Sequence, residues 1–128
     1  MKNKKGFVNS NVLGLKLEVC SKKPLTGFLR NGICTGSNND FGQHFICCLI
    51  DKKFLDFSFE KGNDLKTPKP ELNFPGLQHG DRWCVCVDRW IEAFKNNVAP
   101  KIFLKATNKL VLEKIDIETL KKFALDIN

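Results

Sequence analysis

The first sustained apolar pattern in the chain begins at residue 44. His44-Phe-Ile-Cys-Cys-Leu-Ile50 is a short run with aromatic and β-branched content, which predicts a buried strand. Asp51 follows as a helix cap, and Phe54, Leu55, Ser58 and Phe59 fall on one helical face before Gly62 stops it. A second strand is predicted at Arg82-Trp-Cys-Val-Cys-Val87. Asp88 caps the next helix, with Trp90, Ile91 and Phe94 at core spacing. Pro100 opens a third strand over 101–106, and 108–114 reads as a short helix. Asp116 then caps a last helix that turns Ile117, Leu120, Phe123 and Ala124 inwards. The order β-α-β-α-β-α predicts an α+β fold: a small mixed sheet from 44–50, 82–87 and 101–106, with helices at 51–61, 88–97 and 117–125 packed against it.

The remaining segments are irregular. Residues 1–10 read as a disordered basic tail and 11–128 as a single globular domain, without repeats or a linker. From Asn11 to Gly42 the chain is dense in Gly, Pro, Asn, Ser and Thr, with turn signals at Pro24-Leu-Thr-Gly27 and Arg30-Asn-Gly32. A second irregular stretch, Asn63 to Gly80, holds Pro68, Pro70, Pro75, Gly76 and Gly80. Loops of this length inside a compact domain are often functional.

Composition sharpens the picture in two places. With 42% hydrophobic and 27% charged residues the chain is too apolar to be disordered, and eleven Phe with Trp83 and Trp90 supply the core. The net charge of +7 raises nucleic-acid binding, but only Arg30, Arg82 and Arg89 are Arg, and the Lys residues are scattered. Recognition of phosphate and guanine leans on Arg and on clustered charge, so an RNA-associated role is the weakest functional reading. No apolar run approaches the length that spans a bilayer, and the basic N-terminus lacks the apolar core of a signal peptide. The expectation is therefore a cytoplasmic protein, with Cys20, Cys34, Cys47, Cys48, Cys84 and Cys86 as free thiols or ligands and no disulfide.

At Gly80-Asp-Arg-Trp-Cys-Val-Cys86 with Arg89-Trp90 the sequence resembles a bacterial family known as a domain of unknown function, numbered twenty-two thirty-seven. Further blocks run in order from about Asn11 to Asp126: Asn11-Val-Leu-Gly14 and Cys20; Pro24-Leu-Thr-Gly-Phe28; Asp40-Phe-Gly-Gln-His44 with Cys47; Gly62-Asn-Asp-Leu65 with Thr67-Pro68; Phe74-Pro-Gly-Leu77; Ala99-Pro100; and Ala106-Thr107. This chain departs from the family pattern at Ile33-Cys34, where paired cysteines are usual, at Cys48, where a small residue is commoner, and at Asn108, commonly a His. The resemblance implies a compact mixed α and β fold and no particular activity, cofactor or catalytic residue.

Three sets of residues are candidates for chemistry. Arg82, Cys84 and Cys86 alternate along one strand face, so Cys84, Cys86 and the more distant Cys34 are candidate reactive thiols. The competing reading makes both strand cysteines small buried hydrophobes, because C-x-C lacks the loop geometry of a C-x-x-C redox motif. Cys34, His44, Cys47, Cys84 and Cys86 are zinc-type ligands, but their spacing matches no standard metal site, so they are weak metal candidates. Asn63, Asp64, Thr67, Asp81 and Arg82, with His44, form a polar group that either lines a small-molecule pocket or satisfies the backbone of the long loop. No Ser-His-Asp order, phosphate loop or paired-carboxylate motif stands out. The leading reading is a small-molecule-binding or accessory domain, the alternative an enzyme or redox or metal protein using Cys84, Cys86, Cys34 and His44.

Overall fold

The structure is a computed structural model and describes residues 9–127; most of the expected basic tail, residues 1–8, lies outside them. Ser10 is already part of the fold, bridged to Lys16 and accepting the Lys109 N–H at 2.9 Å. The fold is α+β.

Strand β1 (His44–Leu49) and strand β2 (Arg82–Cys86) form a two-stranded antiparallel sheet. Cys47 faces Cys84, Cys48 faces Trp83, and His44 faces Cys86 across a bulge at Phe45. Alternation along the strands sorts the side chains onto two faces. Ile46, Cys48, Trp83 and Val85 join the main core, whereas Cys47 and Cys84 join a second buried cluster with Cys20, Cys34 and Ala106.

Helix α1 (Lys52–Glu60) starts where expected, the Asp51 carboxylate accepting the Phe54 N–H at 2.8 Å. Phe54, Leu55 and Ser58 are buried, but Phe59 is 55% exposed; the inward stripe is narrower than the sequence suggested. Helix α2 (Val87–Lys95) begins one residue before its expected cap, so Cys86 occupies the cap position and Asp88 lies in the first turn. A carboxylate there still favours the positive end of the helix dipole. Helix α3 (Ile117–Phe123) is capped by Asp116, which accepts the Thr119 N–H at 3.1 Å. It buries Leu120, with Ile117, Phe123 and Ala124 partly covered.

The third expected strand does not form. Ile102 makes only single bridges, to Cys48 on one side and Ala124 on the other, and the Phe103 N–H goes to the Cys47 carbonyl at 2.9 Å. The next two amides, of Leu104 and Lys105, are taken by the Asp126 carboxylate at 2.8 and 2.9 Å. A side chain has replaced the neighbouring strand, and Leu104–Ala106 turns into a 3₁₀ segment. Residues 109–113, expected as a short helix, are also 3₁₀.

On the outside of α1, Asp56 pairs with Lys52 at 2.7 Å and with Lys66. Hydrogen bonds from these two ammonium groups hold its carboxyl at about 2. A carboxyl depressed in the folded state contributes stability above its ordinary range, near pH 4, and loses it as pH falls through about 2. Titration of the Asp56 carboxyl carbon by NMR should therefore show a midpoint near 2, and Lys66→Gln should raise it. An unshifted midpoint would mean the pair is broken in solution.

Candidate functional site

A cavity of about 500 Å³ opens where the 20–44 loop meets the 63–80 loop over β2. Its floor is apolar: Phe74 meets Trp83 edge-on at 5.3 Å, and Phe28, Leu65 and Leu72 complete the walls. The polar groups on it are Arg30, His44, Asn63, Asp64 and Lys69.

Arg30 was read in the sequence only as part of a turn, yet it ties the two loops together. Its guanidinium donates to the carbonyls of Gly27 (2.6 Å), Leu72 (3.0 Å) and Asn73 (3.1 Å) and lies 5.0 Å over the Trp83 ring. Partial burial pulls its pKa down by desolvation, but a guanidinium keeps its charge. Two of its five N–H groups stay uncommitted, so the cavity holds an oriented cation. Lys69 adds a second, its ammonium bonded to the Asp64 carbonyl at 3.3 Å.

His44 is held by Asp40, which, like Lys69, the sequence does not single out as a site residue. The Asp40 side chain is fully buried, and its two oxygens take the His44 backbone N–H at 3.0 Å and ring Nδ1 at 2.6 Å. A carboxylate accepts, so Nδ1 carries the hydrogen and Nε2 is the ring's remaining polar atom. Gly36, at φ +69°, makes room: a Cβ there would sit 2.9 Å from an Asp40 oxygen and 2.5 Å from the Phe45 ring.

The six expected ligand residues divide. His44, Asn63 and Asp64 line the cavity, with the Asn63 backbone N–H donating to the Ser58 carbonyl at 2.8 Å. Asp64 is half committed to its own loop. The Thr67 hydroxyl, with the Lys66 and Thr67 amides, holds its carboxyl below the usual range. Thr67 belongs to that turn, and Asp81 closes another by accepting the Gln78 N–H at 2.8 Å. Arg82 meets neither Asp64 nor the cavity: it is exposed, with its guanidinium 3.9 Å over Phe103.

The expectation of six thiols or ligands without a disulfide is overturned. Cys20 is bonded to Cys47 and Cys34 to Cys84, leaving Cys48 and Cys86 free. Both bonds bring a cysteine of the irregular N-terminal region onto the sheet face that carries Cys47 and Cys84, a long-range pairing that spacing does not reveal. Of the candidate metal ligands, Cys34, Cys47 and Cys84 thus carry no thiolate in this state, and His44 stands apart in the cavity. Cys86 is half-buried beside His44. Burial, with Asp51 nearby, pushes the Cys48 thiol well up, so iodoacetamide should leave it unmodified in the folded protein; modification at the rate of Cys86 would refute its burial.

The model of one protein family, DUF2237, described as an uncharacterized protein conserved in bacteria, matches residues 10–124. The chain belongs to this family. No curated protein matches it. Five of the DUF2237 blocks quoted above, far apart in sequence, each send a residue to the cavity wall: Phe28, His44, Asn63, Phe74 and Trp83.

Proposed function

We propose that this DUF2237 protein binds a small organic ligand with an apolar or aromatic body and an anionic group. The observation that carries the reading is the wall of the cavity: an apolar floor of Phe28, Phe74 and Trp83 under two cations, Arg30 and Lys69, against one partly committed carboxylate, Asp64. Apolar surface with few convergent polar groups is the usual composition of a ligand site, and a fixed guanidinium favours a carboxylate or phosphate. Asn63 and His44 Nε2 supply further polar contacts.

The test is a screen with phenylpropionate, benzoate and phenyl phosphate, read by thermal shift and by Trp83 emission. Saturation at a hundred times Kd corresponds to about 2.7 kcal/mol, roughly 10 °C in a domain of this size. Lys69→Gln should weaken the best binder about tenfold while leaving the apo melting temperature nearly unchanged, because this cation is not needed to hold the loops. A screen in which no anion moves either signal at millimolar concentration would sink the reading.

A cytoplasmic location belongs to the same proposal. It is supported by the absence, among the described residues, of any helix long and apolar enough to cross a membrane. In a reducing compartment the two disulfides would open and re-form. Acid-quenched thiol trapping in cells should then find them open in part of the population. A fully oxidised population would contradict that location.

A further inference from the structure

Four of the six cysteines share one buried cluster, and only one of them reaches the cavity. Cys84 forms part of the cavity wall although it is only 1% exposed, and its partner Cys34 is fully buried. Behind it lies the second bond, Cys20–Cys47, and the sulfurs of Cys20, Cys34 and Cys47 all lie within 4.8 Å of one another. Disulfides that serve only to staple a fold have no need of a third sulfur at that distance. Thiol–disulfide exchange does need one, because a thiolate must attack a neighbouring disulfide sulfur.

We propose that the cluster is a dithiol–disulfide relay, in which a low-molecular-weight thiol bearing a carboxylate enters the cavity and reduces Cys20–Cys47 through Cys84 and Cys34. The proposal rests on the ligand reading above and names the ligand's class. The thiolate attacks the Cys84 sulfur, forming a mixed disulfide; the Cys34–Cys84 bond breaks and its electron pair leaves on Cys34. The Cys34 thiolate then attacks the Cys20–Cys47 bond, joining one of those sulfurs and releasing the other as a thiolate that takes up a proton. A second molecule of thiol attacks the mixed disulfide, leaving as the external disulfide and freeing Cys84. Cys84 attacks Cys34, restores the Cys34–Cys84 bond and releases the second thiol of the Cys20, Cys47 pair. In sum, two thiols are oxidised to one external disulfide and Cys20–Cys47 is reduced to two thiols. Arg30 and Lys69 would hold the carboxylate of the entering molecule.

The experiment uses the full chain carrying Cys86→Ser, so that the half-buried thiol takes no part. Oxidised protein is mixed with glutathione, quenched in acid at intervals, alkylated and mapped by mass spectrometry. The expected order is a glutathione adduct on Cys84 first and alkylated Cys20 and Cys47 afterwards. Adding Cys34→Ser and Cys84→Ser together should slow the opening of Cys20–Cys47 by at least about tenfold, since the route through the cavity is gone. Equal rates in the two proteins, Cys20 and Cys47 thiols preceding any Cys84 adduct, or no reduction in the parent would each overturn the relay. Circular dichroism checks that the double variant folds; if it does not, the order of events in the parent decides. S-methylglutathione, which has no thiol to exchange, separates the two proposals. If neither it nor the aromatic anions shift the melting temperature while reduction runs in the expected order, the ligand reading falls and the relay stands. If it shifts the temperature but Cys84 never reacts, the reverse holds.

Discussion

Replacing Trp90 by Ala should cost about 3–5 kcal/mol, a large part of the stability a domain of this size has. The indole is fully buried and lies in contact with two other aromatic rings. It stacks on Phe94 at 5.6 Å and meets Phe123 edge-on at 5.1 Å, while Phe94 and Phe123 are 5.7 Å apart. The trio therefore joins α2 to α3. The indole N–H also donates to the Pro100 carbonyl at 3.2 Å, fixing the segment that leads into Ile102. Truncation to Ala opens a cavity and strands that carbonyl, and a buried group left unpaired costs about 1–3 kcal/mol by itself. Trp90→Phe keeps most of the ring and should fall well short of the Ala variant. Urea unfolding of both separates the packing from the hydrogen bond. A loss below about 1 kcal/mol for Trp90→Ala would place the ring outside the core.

Trp90, α1, α2, α3 and the two strands were legible because each announces itself locally. Asp51 and Asp116 stand directly before apolar stripes, and the runs 44–50 and 82–87 are short and apolar between turn residues. The stretch 101–106 carries the same local signal as a strand, and what undoes it is Asp126, whose carboxylate takes the Leu104 and Lys105 amides from 22 and 21 residues away. Propensity has no access to such a contact. The same limit shapes the site. Asn63 and Asp64 stand out because they sit in a loop, and His44 because it opens β1, positions where side chains have little packing to do. Arg30 looked like turn punctuation because its role depends on the carbonyls of Leu72 and Asn73 in a distant loop. Arg82 was chosen for its neighbourhood to the loop, but it sits at the exposed start of β2 and lies over Phe103 instead. Asp40 carried a visible signal, four residues before His44 and within the same block, though nothing in the spacing says that its side chain is buried.

Removing the Cys34–Cys84 bond, as Cys34→Ala with Cys84→Ala, should lower stability by about 4 kcal/mol. The bond closes a loop of 50 residues, and the chain-entropy estimate for a loop of that length is roughly 4 kcal/mol, within the usual range of about 2–5 kcal/mol for a native bridge. The loop it closes spans residues 34–84. It includes β1, α1 and the irregular 63–80 segment, so the unfolded chain gains freedom over more than a third of its length. In the folded state the change removes two sulfurs from a site whose neighbours, Ala106 and Phe103, lie in the segment tied to β1 by the Phe103 N–H and to the C-terminus by Asp126, so little repacking offsets the loss. The Cys84 amide keeps its bond to the Thr26 hydroxyl at 2.8 Å, and the Cys34 carbonyl its bond from the Asn108 side-chain amide at 3.0 Å, so the backbone on either side of the missing bridge stays satisfied. The cost should therefore appear as lost stability with the same fold, measurable as a lower urea midpoint with unchanged far-ultraviolet circular dichroism. Cys48→Ala offers the comparison: it removes a sulfur as deeply buried but closes no loop, so its cost should stay nearer the 1 kcal/mol typical of point substitutions. Equal losses in the two variants would mean that the sulfurs act only by filling space and that the bridge constrains nothing.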